Sequence, residues 1–323
     1  MSKPNLPTQL LDVASIHEGQ KRIAAYVHRT PLIRSSTLSD ELGAEIHLKL
    51  ECLQKTGSFK PRGAFNKLLT MSDAQRSAGV VGVSGGNHAQ GVAYAARALG
   101  VHATICMPAS TPKNYLDATR GYGAEIVLAD DIRAAFAACV ELENQGMSVI
   151  HPFDDHAVAA GQGTVALEIL EALPQLSRIY ISIGGGGLIA GMATALKAAN
   201  PEIRVIGVET EGADAMARSI AAQDLIELPA ITSIARTLGA PKVSEMTYQH
   251  VRQRVDELVV VSDQETIEAM TFLLERTKTL VEPAAACCLA AARRQQPTID
   301  KDETVALLMC GGNVSAADLA KWA

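Results

Sequence analysis

The sequence predicts an α/β fold built on parallel strands, with helices covering both faces of the sheet. Two observations carry this. From about Leu69 the chain repeats one unit: a short aliphatic strand, a glycine-bearing loop, then a helix. The strands also run as continuous aliphatic segments, the mark of a sheet buried on both sides. Composition agrees: 48% of residues are hydrophobic but only 4% aromatic, so the core is aliphatic and Ala-rich. Taken in order, 11–26 reads as an amphipathic helix, followed by a turn at Thr30-Pro31. Residues 46–51 alternate like a strand. The strong strands that follow are 79–84, 103–107, 126–129, 178–183, 204–209 and 304–310. No linker, low-complexity run or heptad array interrupts them. A chain of 323 residues fills a large core and is expected to form two closely joined domains.

A net charge of -6 argues against a nucleic-acid or anionic-membrane surface, and there is no basic tract. The six cysteines (52, 106, 139, 287, 288 and 310) include no Cys-x-x-Cys pair and no histidine spacing suited to zinc. Scattered in apolar contexts, they read as reduced thiols of a cytoplasmic protein. Residues 1–12 lack the apolar core of a signal peptide. The uncharged run 179–196 is about long enough to span a bilayer. Its four consecutive glycines, inside a strand-then-helix pattern, make a buried turn the better reading, and a soluble chain is expected.

The segment Thr56-Gly57-Ser58-Phe59-Lys60-Pro61-Arg62-Gly63-Ala64 concentrates the chemistry. Ser58 suits a helix N-cap and Pro61 the first helical position. That puts Lys60 at a helix start, where the local field disfavours its charge. Partly desolvated there, its amine loses a proton more easily and becomes nucleophilic. Taken alone, Lys60 would read as a solvated surface lysine; the rest of the chain shifts that reading.

Three loops close aliphatic strands. Ser84-Gly85-Gly86-Asn87-His88 opens a helix, so its backbone N–H groups face outward and an anionic carboxylate can reach them. A tight turn explains the glycines but not the polar Asn87 and His88 beside them. Gly184-Gly185-Gly186-Gly187-Leu188 exposes successive N–H donors at the positive end of a helix, which is a phosphate cup. Gly185-x-Gly187-x-x-Ala190, with Glu209 ending the next strand, also imitates a dinucleotide fingerprint, so an NAD-dependent oxidoreductase is the competing reading from another reaction class. The third loop is Met309-Cys310-Gly311-Gly312-Asn313. Two places are weaker. Glu282, before Pro283, reads as a helix cap or a site acid. The run 209–215 reads as a solvated acidic turn or a cation site.

Together the lysine segment and these loops resemble the pyridoxal-phosphate enzymes related to serine/threonine dehydratases and serine racemase. The resemblance covers essentially the whole chain. It implies a two-domain, fold-type II enzyme like the tryptophan synthase β chain, with 1–67 and 157–323 forming a large domain and 68–156 a smaller inserted one. It implies pyridoxal 5'-phosphate held by Lys60 and Phe59, its ring oxygen by Asn87, its phosphate by Gly184 to Leu188, and its ring nitrogen by Cys310, with Glu282 near the ring. The substrate carboxylate falls to Ser84, Gly85, Gly86, Asn87 and His88. In the family a divalent cation, magnesium or calcium, is bound near the position of Glu209 and Ala213, but the last ligand falls here on Ala215. A homodimer and a small amino-acid substrate are expected.

The implied reaction is α,β-elimination from a β-hydroxy amino acid of threonine or serine type, giving a 2-oxo acid and ammonia, with Lys60 as general base. Serine racemase carries a second serine where this chain has Gly85, which has no group to protonate the opposite face of Cα, so racemisation is disfavoured. A neutral thiol at 310 makes the ring a weaker electron sink, which also favours elimination. Dehydration of 3-hydroxyaspartate or phenylserine uses the same mechanism. Arg236 stands where relatives carry a carboxylate. Pointing inward it would pair with a second substrate carboxylate; pointing outward it is a surface arginine.

Overall fold

The computed structural model describes residues 10–322. Ten strands form two sheets: β1 (Leu32–Arg34), β2 (Glu45–Lys49), β3 (Val80–Val83), β4 (Ala103–Pro108), β5 (Glu125–Ala129), β6 (Ser148–Val149), β7 (Arg178–Ser182), β8 (Arg204–Thr210), β9 (Glu257–Val261) and β10 (Thr304–Leu308). The larger sheet has the order β1-β2-β10-β7-β8-β9, and the smaller β5-β4-β3-β6. All pairings are parallel except β1 with β2. Every strand of the sequence reading is present within a few residues. Three more strands are present: β1 and β6, only three and two residues long, and β9, a five-residue aliphatic run. The first helix is shorter than expected, Val13–Ile23, capped by Asp12, whose side chain accepts from Ser15 N. The suspicious apolar run divides into β7 and the helix Gly187–Ala199. Among the described residues no helix is long and apolar enough to cross a membrane.

Helix Lys60–Thr70 is where the two sheets meet. Its Ala64, Phe65 and Leu68 belong to the core beneath the smaller sheet. Its opposite edge presses on helix His156–Ala172, where a Cβ on Gly161 would lie 2.5 Å from the Arg62 carbonyl oxygen. That second helix packs as tightly on Gly187–Ala199: a Cβ on Gly191 would lie 2.0 Å from the Ala159 carbonyl. No side chain larger than hydrogen fits at either crossing. The helix that starts at Lys60 is thereby in register with the helix that starts at the four-glycine loop.

A buried charge network locks the same helix. Arg62, with no exposed surface, donates from Nε and Nη2 to Glu51 at 2.8 Å each, and from Nη1 to Glu168 Oε1 at 2.6 Å. Lys49 Nζ donates to Glu168 Oε2 at 2.5 Å and to the Thr30 carbonyl at 2.8 Å. Burial pushes the Glu51 carboxyl up, but Arg62 and Lys49 outweigh it and hold the group below its usual range. Two cations and two anions thus cancel inside the protein, two residues from Lys60. Removing one partner strands a buried charge, at a cost of about 3–5 kcal/mol. Glu168→Ala is expected to lower unfolding free energy by that amount in a urea titration; a loss under about 1 kcal/mol would show that the network does not hold this helix.

Candidate active site

All three glycine-bearing loops leave the C-terminal ends of parallel strands: residues 84–88 follow β3, 184–188 follow β7 and 310–313 follow β10. They converge with Lys60 on one cavity of about 810 Å³ between the sheets. Each predicted cofactor and substrate position lines it, Phe59 and Arg236 included.

Lys60 begins its helix, but Ser58 does not cap it. Phe59 occupies the N-cap position, while Ser58 is extended and bridges to Gly311. The reason is tertiary: Phe59 N donates to the Cys310 carbonyl at 3.1 Å and Gly312 N to the Gly57 carbonyl at 2.9 Å, tying the lysine segment to the β10 loop as a short ladder. The Ser58 hydroxyl is buried without a partner among the described residues. Lys60 Nζ donates to the Pro152 carbonyl at 3.1 Å and lies 5.1 Å from the Phe59 ring. Burial lowers its amine to about 8, against smaller opposing pulls from Cys310 and Glu282. This is a nucleophilic lysine near neutrality.

Helix Gly187–Ala199 has Gly186 at its N-cap with φ 93°, and no side chain caps it. Its first N–H groups therefore face the cavity. A Cβ on Gly184 would come within 3.0 Å of Leu238 Cα, and one on Gly185 within 2.0 Å of the Phe153 ring, so bare backbone is required here.

Around the β3 loop the roles are more specific than the sequence implied. The Asn87 amide is held from both ends: Nδ2 donates to Glu282 Oε1 at 2.8 Å, and Oδ1 accepts from Asn313 Nδ2 at 2.8 Å. Glu282 sits at a helix N-cap position yet does not cap it; its carboxylate also accepts from Thr237 Oγ1 at 2.8 Å and Asn313 N at 3.1 Å. The Ser84 hydroxyl accepts from Gly86 N at 3.1 Å, which tightens the loop. The His88 imidazole turns away, its Nε2 bonded to the Ile150 carbonyl at 2.8 Å, and burial lowers it to about 3. It contributes to the wall, and its side chain is neutral. The Cys310 thiol accepts from Ser182 Oγ at 3.4 Å, and burial pushes it well above its usual range. It stays a neutral thiol.

At the expected cation position both Glu209 oxygens accept backbone N–H bonds, from Met216 at 3.0 Å and Ala217 at 2.7 Å. The adjacent Asp214 pairs with Arg218 at 2.9 Å, and no metal-binding group of three or more His, Cys, Asp or Glu occurs among the described residues. The same bonds bury Glu209 away from any ribose, which removes the dinucleotide reading. The space beside Gly85 is occupied. A Cβ there would lie 2.7 Å from the buried hydroxyl of Thr111, which has no hydrogen-bond partner among the described residues. Sequence reasoning gave no role to Thr111, Phe153, Thr237 or Asn313. The first two carry no local signal. Asn313 stands inside a loop already singled out and Thr237 beside Arg236, but nothing local shows that their side chains reach Asn87 and Glu282.

The family model described as pyridoxal-phosphate dependent enzyme matches residues 23–311. The L-threonine ammonia-lyase of Thermotoga maritima is 41% identical over 307 residues, 94% of this chain and 76% of that protein. Maize serine racemase superposes with a TM-score of 0.93 at 38% identity, over 97% of both chains. The T.th. threonine deaminase does so at 0.89 and 40% identity, over 94% of this chain and 99% of that one. With a desolvated lysine and two uncapped helix N-termini opening on one cavity, and with these likenesses over nearly its whole length, the chain belongs to the fold-type II pyridoxal-phosphate-dependent enzymes.

Proposed function

We propose that the protein is an ammonia-lyase that dehydrates β-hydroxy amino acids, with Lys60 as its catalytic base. The observation that carries this is the Lys60 amine, shifted to about 8 by burial and set between two anion-receiving loops. The likeness to L-threonine ammonia-lyase supports the reaction class.

The residues fit pyridoxal phosphate. The uncapped N–H groups from Gly185 to Leu188 would hold its phosphate, the second Asn87 Nδ2 hydrogen its ring oxygen, and the neutral Cys310 thiol its ring nitrogen. When bound, the cofactor supplies the electron sink that makes the substrate Cα–H acidic. The rest falls to the chain. The Ser84–Asn87 backbone holds the α-carboxylate at the start of helix Asn87–Ala98, and Lys60 removes the Cα proton. The β-hydroxyl departs with a proton as water, and the released enamine takes up water to give a 2-oxo acid and ammonia. Glu282 keeps Asn87 oriented, and the Pro152 carbonyl keeps the Lys60 amine in place. Racemisation needs an acid on the other face. Thr111 supplies a hydroxyl there but has no bonded partner among the described residues to relay a proton, so it is a weak acid and elimination is favoured. The six unpaired, buried cysteines support a cytoplasmic location. Exposed Leu280, beside Gly312, and exposed Leu53, which follows Cys52 there, support a homodimer. Residues 68–156, which contain the smaller sheet, form the inserted domain in this reading.

Borohydride reduction of the holoenzyme followed by peptide mapping is expected to find the pyridoxyl label on Lys60; a label on Lys49 or Lys67 would remove the assignment. The neutral fraction of Lys60 grows as pH rises through about 8. Reconstitution of the stripped protein with pyridoxal phosphate should accordingly accelerate from about pH 6.5 and level off near about pH 9, roughly one unit beyond that midpoint. A rate still climbing about tenfold per unit there would mean an ordinary lysine. With L-serine or L-threonine as substrate, chiral analysis should find inversion at Cα at least about tenfold slower than 2-oxo acid release, the factor that about 1.4 kcal/mol of barrier provides. Comparable rates would mean that Thr111 or another group delivers the second proton.

A further inference from the structure

We propose that the site selects β-hydroxy amino acids carrying a second carboxylate, the 3-hydroxyaspartate class, and that Arg236 is the residue that recognises it. This rests on the elimination reading and adds the substrate's side chain.

Arg236 opens the short turn Arg236–Leu238, which spans the two anion-receiving loops. A Cβ on Gly86 would lie 3.4 Å from Thr237 Cγ2, and one on Gly184 would lie 3.0 Å from Leu238 Cα. The turn is anchored on both sides of Arg236. Arg236 N donates to the Ile234 carbonyl at 2.8 Å, its carbonyl accepts from Gly239 N at 3.0 Å, and Thr237 Oγ1 bonds Glu282. Against this fixed backbone the guanidinium is exposed, lines the cavity, and makes no hydrogen bond or ion pair among the described residues.

The carboxylates of the lining do not claim it. Glu282 is taken by Asn87, Thr237 and Asn313. Asp318 is near enough to feel the Arg236 charge, but it bonds Ser315 Oγ at 2.7 Å and Lys321 at 3.5 Å instead. Asp154 lies beside His151. Lys242, exposed at the same rim, is a second cation without a partner among the described residues. The outer half of the cavity therefore carries two free positive charges, one of them a planar fork of N–H donors suited to a bidentate carboxylate. Threonine, with a methyl group there, leaves the fork to water. A β-carboxylate fills it. The overall reaction balances without a further reactant: 3-hydroxyaspartate loses water, its enamine takes water back, and ammonia and a four-carbon 2-oxo dicarboxylate are released.

The test compares 2-oxo acid release from 3-hydroxyaspartate and threonine by the holoenzyme and by Arg236→Ala and Arg236→Lys. The native protein is expected to favour 3-hydroxyaspartate in kcat/KM by at least about tenfold. Arg236→Ala should lower that value on the order of a hundredfold, mostly through KM, while threonine loses a small factor, and Arg236→Lys should recover part of the loss. Calorimetric titration with succinate supplies a readout free of turnover: binding to the native protein and none to Arg236→Ala. Equal losses on both substrates, or succinate affinity indifferent to Arg236, would overturn the proposal and leave the elimination reading standing. Arg236-dependent succinate binding with no 2-oxo acid from any β-hydroxy amino acid would support the second-carboxylate site and overturn elimination.

Discussion

The position of Lys60 depends on a buried arginine two residues away. Arg62 reaches Glu51, just past the end of β2 in the larger sheet, and Glu168 on helix His156–Ala172, so one guanidinium joins three elements. Such an arrangement is costly to bury and contributes more to uniqueness of geometry than to net stability. Here uniqueness is what the chemistry requires. A lysine must meet a cofactor carbonyl and later a Cα proton, and an error of about 1 Å in either costs rate. The glycine crossings at Gly161 and Gly191 act in the same direction by removing the side chains that would let the helices slide.

Around Lys60 burial shifts each titratable group towards its neutral form. Burial lowers the lysine amine and the His88 imidazole, and it raises the Cys310 thiol and the Glu282 carboxyl. The positive ends of two helices are left open for the anions of cofactor and substrate, so the bound molecules bring the charge and the site brings oriented dipoles. Thr237 links these parts. It packs beside Gly86, holds Glu282, and carries Arg236 as its neighbour, so the segment that buttresses the reaction centre also presents the free guanidinium at the rim.

The corrections share one cause. Ser58 looked like a helix cap and Glu209 like a ribose acceptor. Each reading considered only neighbours in sequence. Tertiary partners decided otherwise: the β10 loop pairs with the Ser58 backbone, and the helix Ala215–Ala222 presents its N–H groups to Glu209. At Glu209 the partner brought close by the fold prevails, because a buried acceptor left unpaired costs more than a local bond returns; at Ser58 the backbone pairing with the β10 loop wins although it leaves the hydroxyl unpaired.

The sequence by itself determined the parallel α/β architecture, the helix that starts at Lys60, and the three strand-end loops. Those features rest on backbone requirements that are local: aliphatic runs for a doubly covered sheet, glycine where N–H groups must lie bare, proline at a helix start. It left open which side chains hold Asn87, what fills the space beside Gly85, and where Arg236 stands. Only the tertiary structure decided these. Asn313, Thr111 and Thr237 come from segments distant in sequence from the β3 loop they complete, and a side chain's partner across such a distance depends on how the sheets pack, which no local pattern encodes.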